Sequence, residues 1–83
     1  MWSVYVVKSL SSGKHYVGMT MNVENRIKEH NAGKSKFTSG HRPWKLIYTE
    51  NDFANSQQAR TREKYLKSAA GKKFISPKLP GLN

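Results

Sequence analysis

Cysteine is absent from this 83-residue chain, and acids are scarce, with five Asp and Glu against 15 Lys and Arg. The first absence removes disulfide staples, thiolate zinc sites and cysteine nucleophiles together. The three histidines, at positions 15, 30 and 41, have no spacing typical of a metal site. Any metal would therefore be a hard cation on oxygen ligands, with few carboxylates to supply them. Long apolar runs are missing too. No segment approaches the roughly 20 apolar residues that span a bilayer, and the opening Met-Trp-Ser-Val-Tyr-Val-Val-Lys lacks a charged leader and long apolar stretch. These gaps predict a soluble, cytoplasmic protein with no membrane partner.

What the chain has in plenty is positive charge. A formal charge of +10 on one small domain predicts attraction to polyanions, nucleic acid before all others. A chain this short buries a smaller share of its surface than a longer one, so its core should be thin. There is no internal repeat, low-complexity segment or interdomain linker. The expected organisation is one domain over residues 1–76, followed by a loosely ordered tail over 77–83.

Trp2 to Lys8 is dense in aromatic and β-branched residues and reads as a strand, with Val4 and Val6 on one face and Ser3, Tyr5 and Val7 on the other. The turn-forming Leu10-Ser11-Ser12-Gly13 leads into a second extended run, Lys14 to Met19, which predicts an antiparallel hairpin. Thr20 or Asn22 can cap a helix running to about Ala32, with Gly33 placed to stop it. On that helix Val23 and Ile27 form a narrow apolar stripe, and His30 and Arg26 sit at its border. Lys34 to Arg42 reads as a basic surface loop, and Pro43 to Thr49 as a third strand closed by an Asn51-Asp52 turn. Asn55 or Ser56 caps a second helix reaching about Ala70, where Gly71 closes it. Its buried stripe would be Ala59, Leu66 and Ala70, with Glu63 beside it. Lys72 to Ser76 could add a helical turn before Pro77. The fold class is α/β (α+β), a three-stranded antiparallel sheet with flanking helices.

Each candidate functional residue has a plain structural alternative. Glu63 could simply pair with Lys67 at i+4, and Arg26 with Glu29 at i+3. His30 alone reads as an edge-of-core histidine, and Tyr5 and Tyr16 as sheet packing. Against this, a carboxylate on an apolar face is costly unless a cation meets it there. Together, two tyrosines on one hairpin, an arginine and histidine on the next helix and one acid on a later helix supply what phosphodiester cleavage needs. They are a base for water, positive charge for the pentavalent phosphorus, and a carboxylate-held cation for the leaving oxygen.

The half-motifs Ser3-Val4-Tyr5 and Tyr16-Val17-Gly18, separated by a hairpin, resemble those of the GIY-YIG nuclease superfamily. His30-Asn31-Ala32-Gly33, Arg42-Pro43-Trp44-Lys45-Leu46 and Arg62-Glu63-Lys64-Tyr65-Leu66-Lys67-Ser68 are similar to small stand-alone bacterial members, related to the catalytic domain of the excision-repair nuclease subunit. The resemblance covers residues 2 to about 75. It implies a DNA endonuclease using Mg²⁺ or Mn²⁺, in which Tyr5 and Tyr16 orient or deprotonate water, Arg26 stabilises the phosphate, His30 assists and Glu63 holds the metal. Which tyrosine is the base stays open, because an ordinary phenol titrates near pH 10. Lys34, Lys36, Arg42, Lys45, Arg60 and Lys67 are the expected nucleic-acid contacts. The implied substrate is DNA, branched or nicked forms included, with a partner protein supplying specificity. The chain departs from the family pattern in Ser3, in Val17, and in Phe74 and Ile75, where several members carry an asparagine. The rival expectations are a non-cleaving nucleic-acid-binding module of the same fold, and a protein adaptor using Trp2, Trp44 and Tyr48.

Overall fold

Alternation along Trp2–Ser9 (β1) places Val4 and Val6 on one face of a sheet and Tyr5 and Val7 on the other, and all four are buried. The structure is a computed structural model that describes residues 1–34 and 36–78, the Phe37 side chain excepted. A strand buried on both faces must lie centrally, and β1 pairs antiparallel with His15–Thr20 (β2) on one side and Trp44–Phe53 (β3) on the other. Tyr5 stands opposite Gly18, and Val7 opposite Tyr16.

Helices cover both faces. Between β2 and β3 the chain forms Val23–Asn31 (α1) and Lys36–Ser39 (α2); after β3 come Ser56–Lys67 (α3), Ala69–Ile75 (α4) and a 3₁₀ turn, Ser76–Lys78. On one face Val4 and Val6 pack against Ala59, Leu66 and Ile75 of α3 and α4. On the other, Tyr5, Val7 and Trp44 pack with Tyr16 and with Val23 and Ile27 of α1. Asn22 and Asn55 cap α1 and α3, each side chain accepting a backbone N–H three residues on. The three-stranded antiparallel sheet with flanking helices is as the sequence predicts. Among the described residues no helix is long and apolar enough to cross a membrane.

Four local expectations fail. Asn51 and Asp52 do not end the third strand, which runs on to Phe53 with Asp52 at φ 71° and a register shift opposite Trp2 and Val4. The positive φ is absorbed as an irregularity at an edge rather than a reversal. The Lys34–Arg42 segment is not simply a surface loop, because α2 carries the fully buried Thr38. The helix holding Glu63 ends at Lys67, since Ser68 becomes the cap of α4 with its hydroxyl accepting the Gly71 N–H; Ala70 is consequently exposed. Gly71 is no terminator. It is buried within α4, where any Cβ would run into the Tyr65 carbonyl, so glycine is what lets α4 turn tightly against α3. Ser76, Pro77 and Lys78 form the 3₁₀ turn, and the rest of the expected tail lies outside the described residues.

Candidate active site

Tyr5 is a tyrosine 1% exposed, at the centre of the sheet. Its ring fits because Gly18 faces it across the hairpin: a Cβ at Gly18 would collide with the phenol. A buried hydroxyl needs a partner, and Tyr5 Oη meets His30 Nε2 at 2.8 Å. His30 is completely buried rather than at a border, and its Nδ1 lies 2.8 Å from Thr38 Oγ1. Thr38 is in turn fixed by Trp44, whose indole N–H donates to the Thr38 carbonyl at 2.8 Å. Asn31 clamps Trp44 from both sides, accepting its N–H at 2.6 Å and donating to its carbonyl at 3.1 Å. Thr38, Asn31 and Trp44 therefore form a support for His30 that the sequence showed only as neighbouring polar and aromatic letters.

Arg26 lies one turn before His30. It makes the expected pair with Glu29, Nη1 to Oε1 at 3.1 Å, and its charge also acts on the Tyr5 phenol. Burial opposes the Arg26 charge, but Glu29 and Tyr5 outweigh it and hold its pKa above the ordinary value. The Tyr5 phenol is pushed up to about 12, first by burial, with Arg26 opposing and the charges of Tyr16 and Glu63 adding to the rise. His30 is shifted below its ordinary value by burial and by the Arg26 charge, so it is neutral at pH 7.

Tyr16, on the edge strand, is only half-buried and closes the cluster. Its ring lies 5.2 Å from that of His30, edge to face, and 6.4 Å from that of Tyr5. Around this edge reaches α3. Glu63, with 17% of its side chain exposed, meets Lys67 at 3.7 Å, and Lys67 Nζ stands 6.0 Å from the centre of the Tyr16 ring. The plain i+4 pair is thus real, yet it sits beside the tyrosines, and the Glu63 charge is felt at Tyr5. Tyr5, Tyr16, Arg26 and His30 come together on the α1 side of the hairpin, and Glu63 is linked to them from α3 through Lys67 and through its charge on Tyr5.

No three His, Cys, Asp or Glu residues cluster among the described residues as an all-protein metal cage would need. Glu63 suits a looser mode of binding, in which one carboxylate holds Mg²⁺ or Mn²⁺ while water and a substrate phosphate complete the shell. At the position of the family's asparagine, Ile75 is buried in the core and the exposed Phe74 lies under the Arg62 guanidinium at 4.9 Å.

Of the expected nucleic-acid contacts, Lys67 stands beside the cluster. Lys34, Lys36, Lys45 and Arg60 are exposed on separate elements, and Arg42 is turned onto its own segment, donating from Nε to the Ser39 carbonyl at 2.9 Å. Arg62, another cation of α3, serves the scaffold instead: it grips Glu50 of β3 at 2.7 and 3.0 Å. The adaptor expectation loses its patch, since Trp44 is buried inside the support of His30.

Comparison with known proteins matches residues 1–75 to the family described as the GIY-YIG catalytic domain. A UPF0213 protein of Clostridium perfringens is 45% identical over 65 residues, spanning 77% of this chain and 68% of that protein. The structure-specific endonuclease subunit slx1 of Xenopus laevis is 43% identical over 47 residues, spanning 52% of this chain but 17% of its own length. The solution structure of a UPF0213 protein from Bacillus halodurans superposes with a TM-score of 0.55 at 32% identity, covering 98% of this chain and 89% of that one.

Proposed function

Since the chain belongs to the GIY-YIG catalytic-domain family, we propose that it is a cytoplasmic, divalent-metal-dependent endonuclease that hydrolyses phosphodiester bonds in DNA. The observation that supports this reading is the clustering of Tyr5, Tyr16, Arg26 and His30 on one side of the hairpin, with Glu63 reaching towards it from α3. Exposure separates the tyrosines. Tyr5 is sealed and committed to His30, whereas Tyr16 is reachable, so Tyr16 orients the attacking water and, as the phenolate left once its own proton has passed to solvent, takes one proton from it. Tyr5 and His30 act as positioning residues: the Tyr5 hydroxyl donates to His30 Nε2, and the His30 Nδ1–H donates to Thr38, while the Arg26 charge acts on the Tyr5 oxygen. This tautomer is assigned from the donors and acceptors present. Arg26, so held, places fixed positive charge against the phosphate oxygens where negative charge grows. Glu63 would hold the Mg²⁺ or Mn²⁺, which supplies charge neutralisation at the leaving oxygen.

The Xenopus relative is by name a structure-specific endonuclease subunit, and we extend to this chain a preference for branched or nicked DNA, with a partner protein adding specificity. Incubation of wild type and Glu63→Ala with plasmid, nicked and branched DNA, with Mg²⁺, Mn²⁺ or a chelator, tests the reading. Metal-dependent cleavage lost in Glu63→Ala is expected. Equal inactivity of both proteins on every substrate would leave the non-cleaving binding module in its place.

A further inference from the structure

A groove of about 700 Å³, with Tyr16 in its lining, opens between the edge strand β2 and the helices α3 and α4. Its floor is apolar, made by Val6, Val17, Leu66 and Ile75, and its rim is cationic, carrying Lys14, Lys67 and Lys72. No carboxylate is among the described residues that line it. Tyr16 and Lys67 belong both to this groove and to the candidate active site, so the two are continuous.

An apolar floor bordered by lysines suits a ligand with an aromatic face and anionic edges. A paired base cannot enter it, because its faces are covered by neighbours in the stack; an unpaired one can, at the cost of leaving that stack. We propose that the groove receives an unpaired nucleotide of the substrate strand next to the bond that is cut, its base on the apolar floor and its flanking phosphates on Lys14 and Lys72. The proposal rests on the nuclease reading and gives a physical reason for a preference for nicked or branched DNA: only such DNA offers a free base within one nucleotide of the scissile bond. It also gives the Tyr16 ring a second task, as the wall that separates the base from the reacting phosphate.

The test uses DNA with an unpaired aminopurine nucleotide at a nick, whose fluorescence rises when the base leaves its stack. Ser76 lines the groove from its exposed rim, so Ser76→Trp fills it without touching the core, and Lys72→Glu reverses part of the rim. Wild type is expected to raise the fluorescence, and Ser76→Trp to abolish the rise. Cleavage of this DNA should fall about tenfold in either variant, as loss of one stacked or buried base does elsewhere, while fully paired plasmid is cut at the wild-type rate by Ser76→Trp. Circular dichroism and thermal melting establish that both variants fold. Folded variants that match wild type in fluorescence and in cleavage of every DNA would overturn the proposal, and would point to a protein segment as the occupant. If the fluorescence rise is seen and is lost in Ser76→Trp, yet no protein cuts any DNA, the groove assignment stands and the nuclease reading fails.

Discussion

Tyr5 Oη and His30 Nε2 lie 2.8 Å apart with neither residue more than 1% exposed, so the contact between the central strand and α1 is polar at its most buried point. Removing one partner strands the other without water. His30→Ala should lower the unfolding free energy by about 2–4 kcal/mol, counting the orphaned phenol and the cavity together. His30→Gln, which can still bond Tyr5, should cost less. Urea denaturation of the two variants checks both the size and the order.

The same pair sets a pH dependence. Burial and Arg26 hold the folded-state pKa of His30 below its ordinary value, so the unfolded chain binds the extra proton first. The stability this neutral imidazole contributes is therefore complete above about pH 6.5 and is lost progressively as the pH falls towards the depressed folded value. Wild type should lose melting temperature between pH 7 and pH 5 more steeply than His30→Gln does.

Gly18 is the second residue on which Tyr5 depends. A methyl group there meets the phenol, which must tilt away from His30 and release Arg26. Gly18→Ala should destabilise the fold by about 1–3 kcal/mol, as overpacking commonly does. It should also reduce cleavage by more than that stability loss accounts for. Parallel melting and rate measurements at a temperature where the variant stays folded separate the two effects.

If Glu63 holds the metal as proposed, Lys67 competes with it for the carboxylate. Its ammonium group pairs with Glu63 at 3.7 Å, half exposed, an interaction of the kind that contributes up to about 1 kcal/mol. Lys67→Ala should therefore tighten Mn²⁺ binding by up to about fivefold, and Glu63→Gln should abolish it. Titration calorimetry with Mn²⁺ and no DNA reads this directly.

Much of this fold was legible because local letters carried its physics. Alternation in Trp2–Ser9 set the two faces of β1, and the cap candidates Thr20 or Asn22 and Asn55 or Ser56 bracketed the starts of α1 and α3, where the structure uses Asn22 and Asn55. The two tyrosines, Arg26, His30 and Glu63 could be named from motif spacing, and the structure places Tyr5, Tyr16 and His30 in one cluster with Arg26 acting on Tyr5. What stayed hidden depends on contacts distant in sequence. Thr38 looks like loop polarity until Trp44 pulls its carbonyl inward and His30 takes its hydroxyl. Gly71 resembles a helix stop because no local pattern announces that Ser68 restarts the helix and that the Tyr65 carbonyl then leaves no room for a side chain. The basic residues divide in the same way: charge alone could not tell Arg62, spent on Glu50, from Lys67 beside the site.

The central claim, that the cluster at the hairpin performs phosphodiester chemistry rather than only holding DNA, turns on Arg26. Single-turnover cleavage of nicked DNA in Mg²⁺ by wild type and Arg26→Ala, with binding measured alongside at low salt, tests it most directly. Loss of a group that stabilises developing charge should slow cleavage by about 10²–10³-fold, while affinity changes by no more than one lost phosphate contact allows. Cleavage falling only in step with binding, or no cleavage by wild type under any metal, would contradict it.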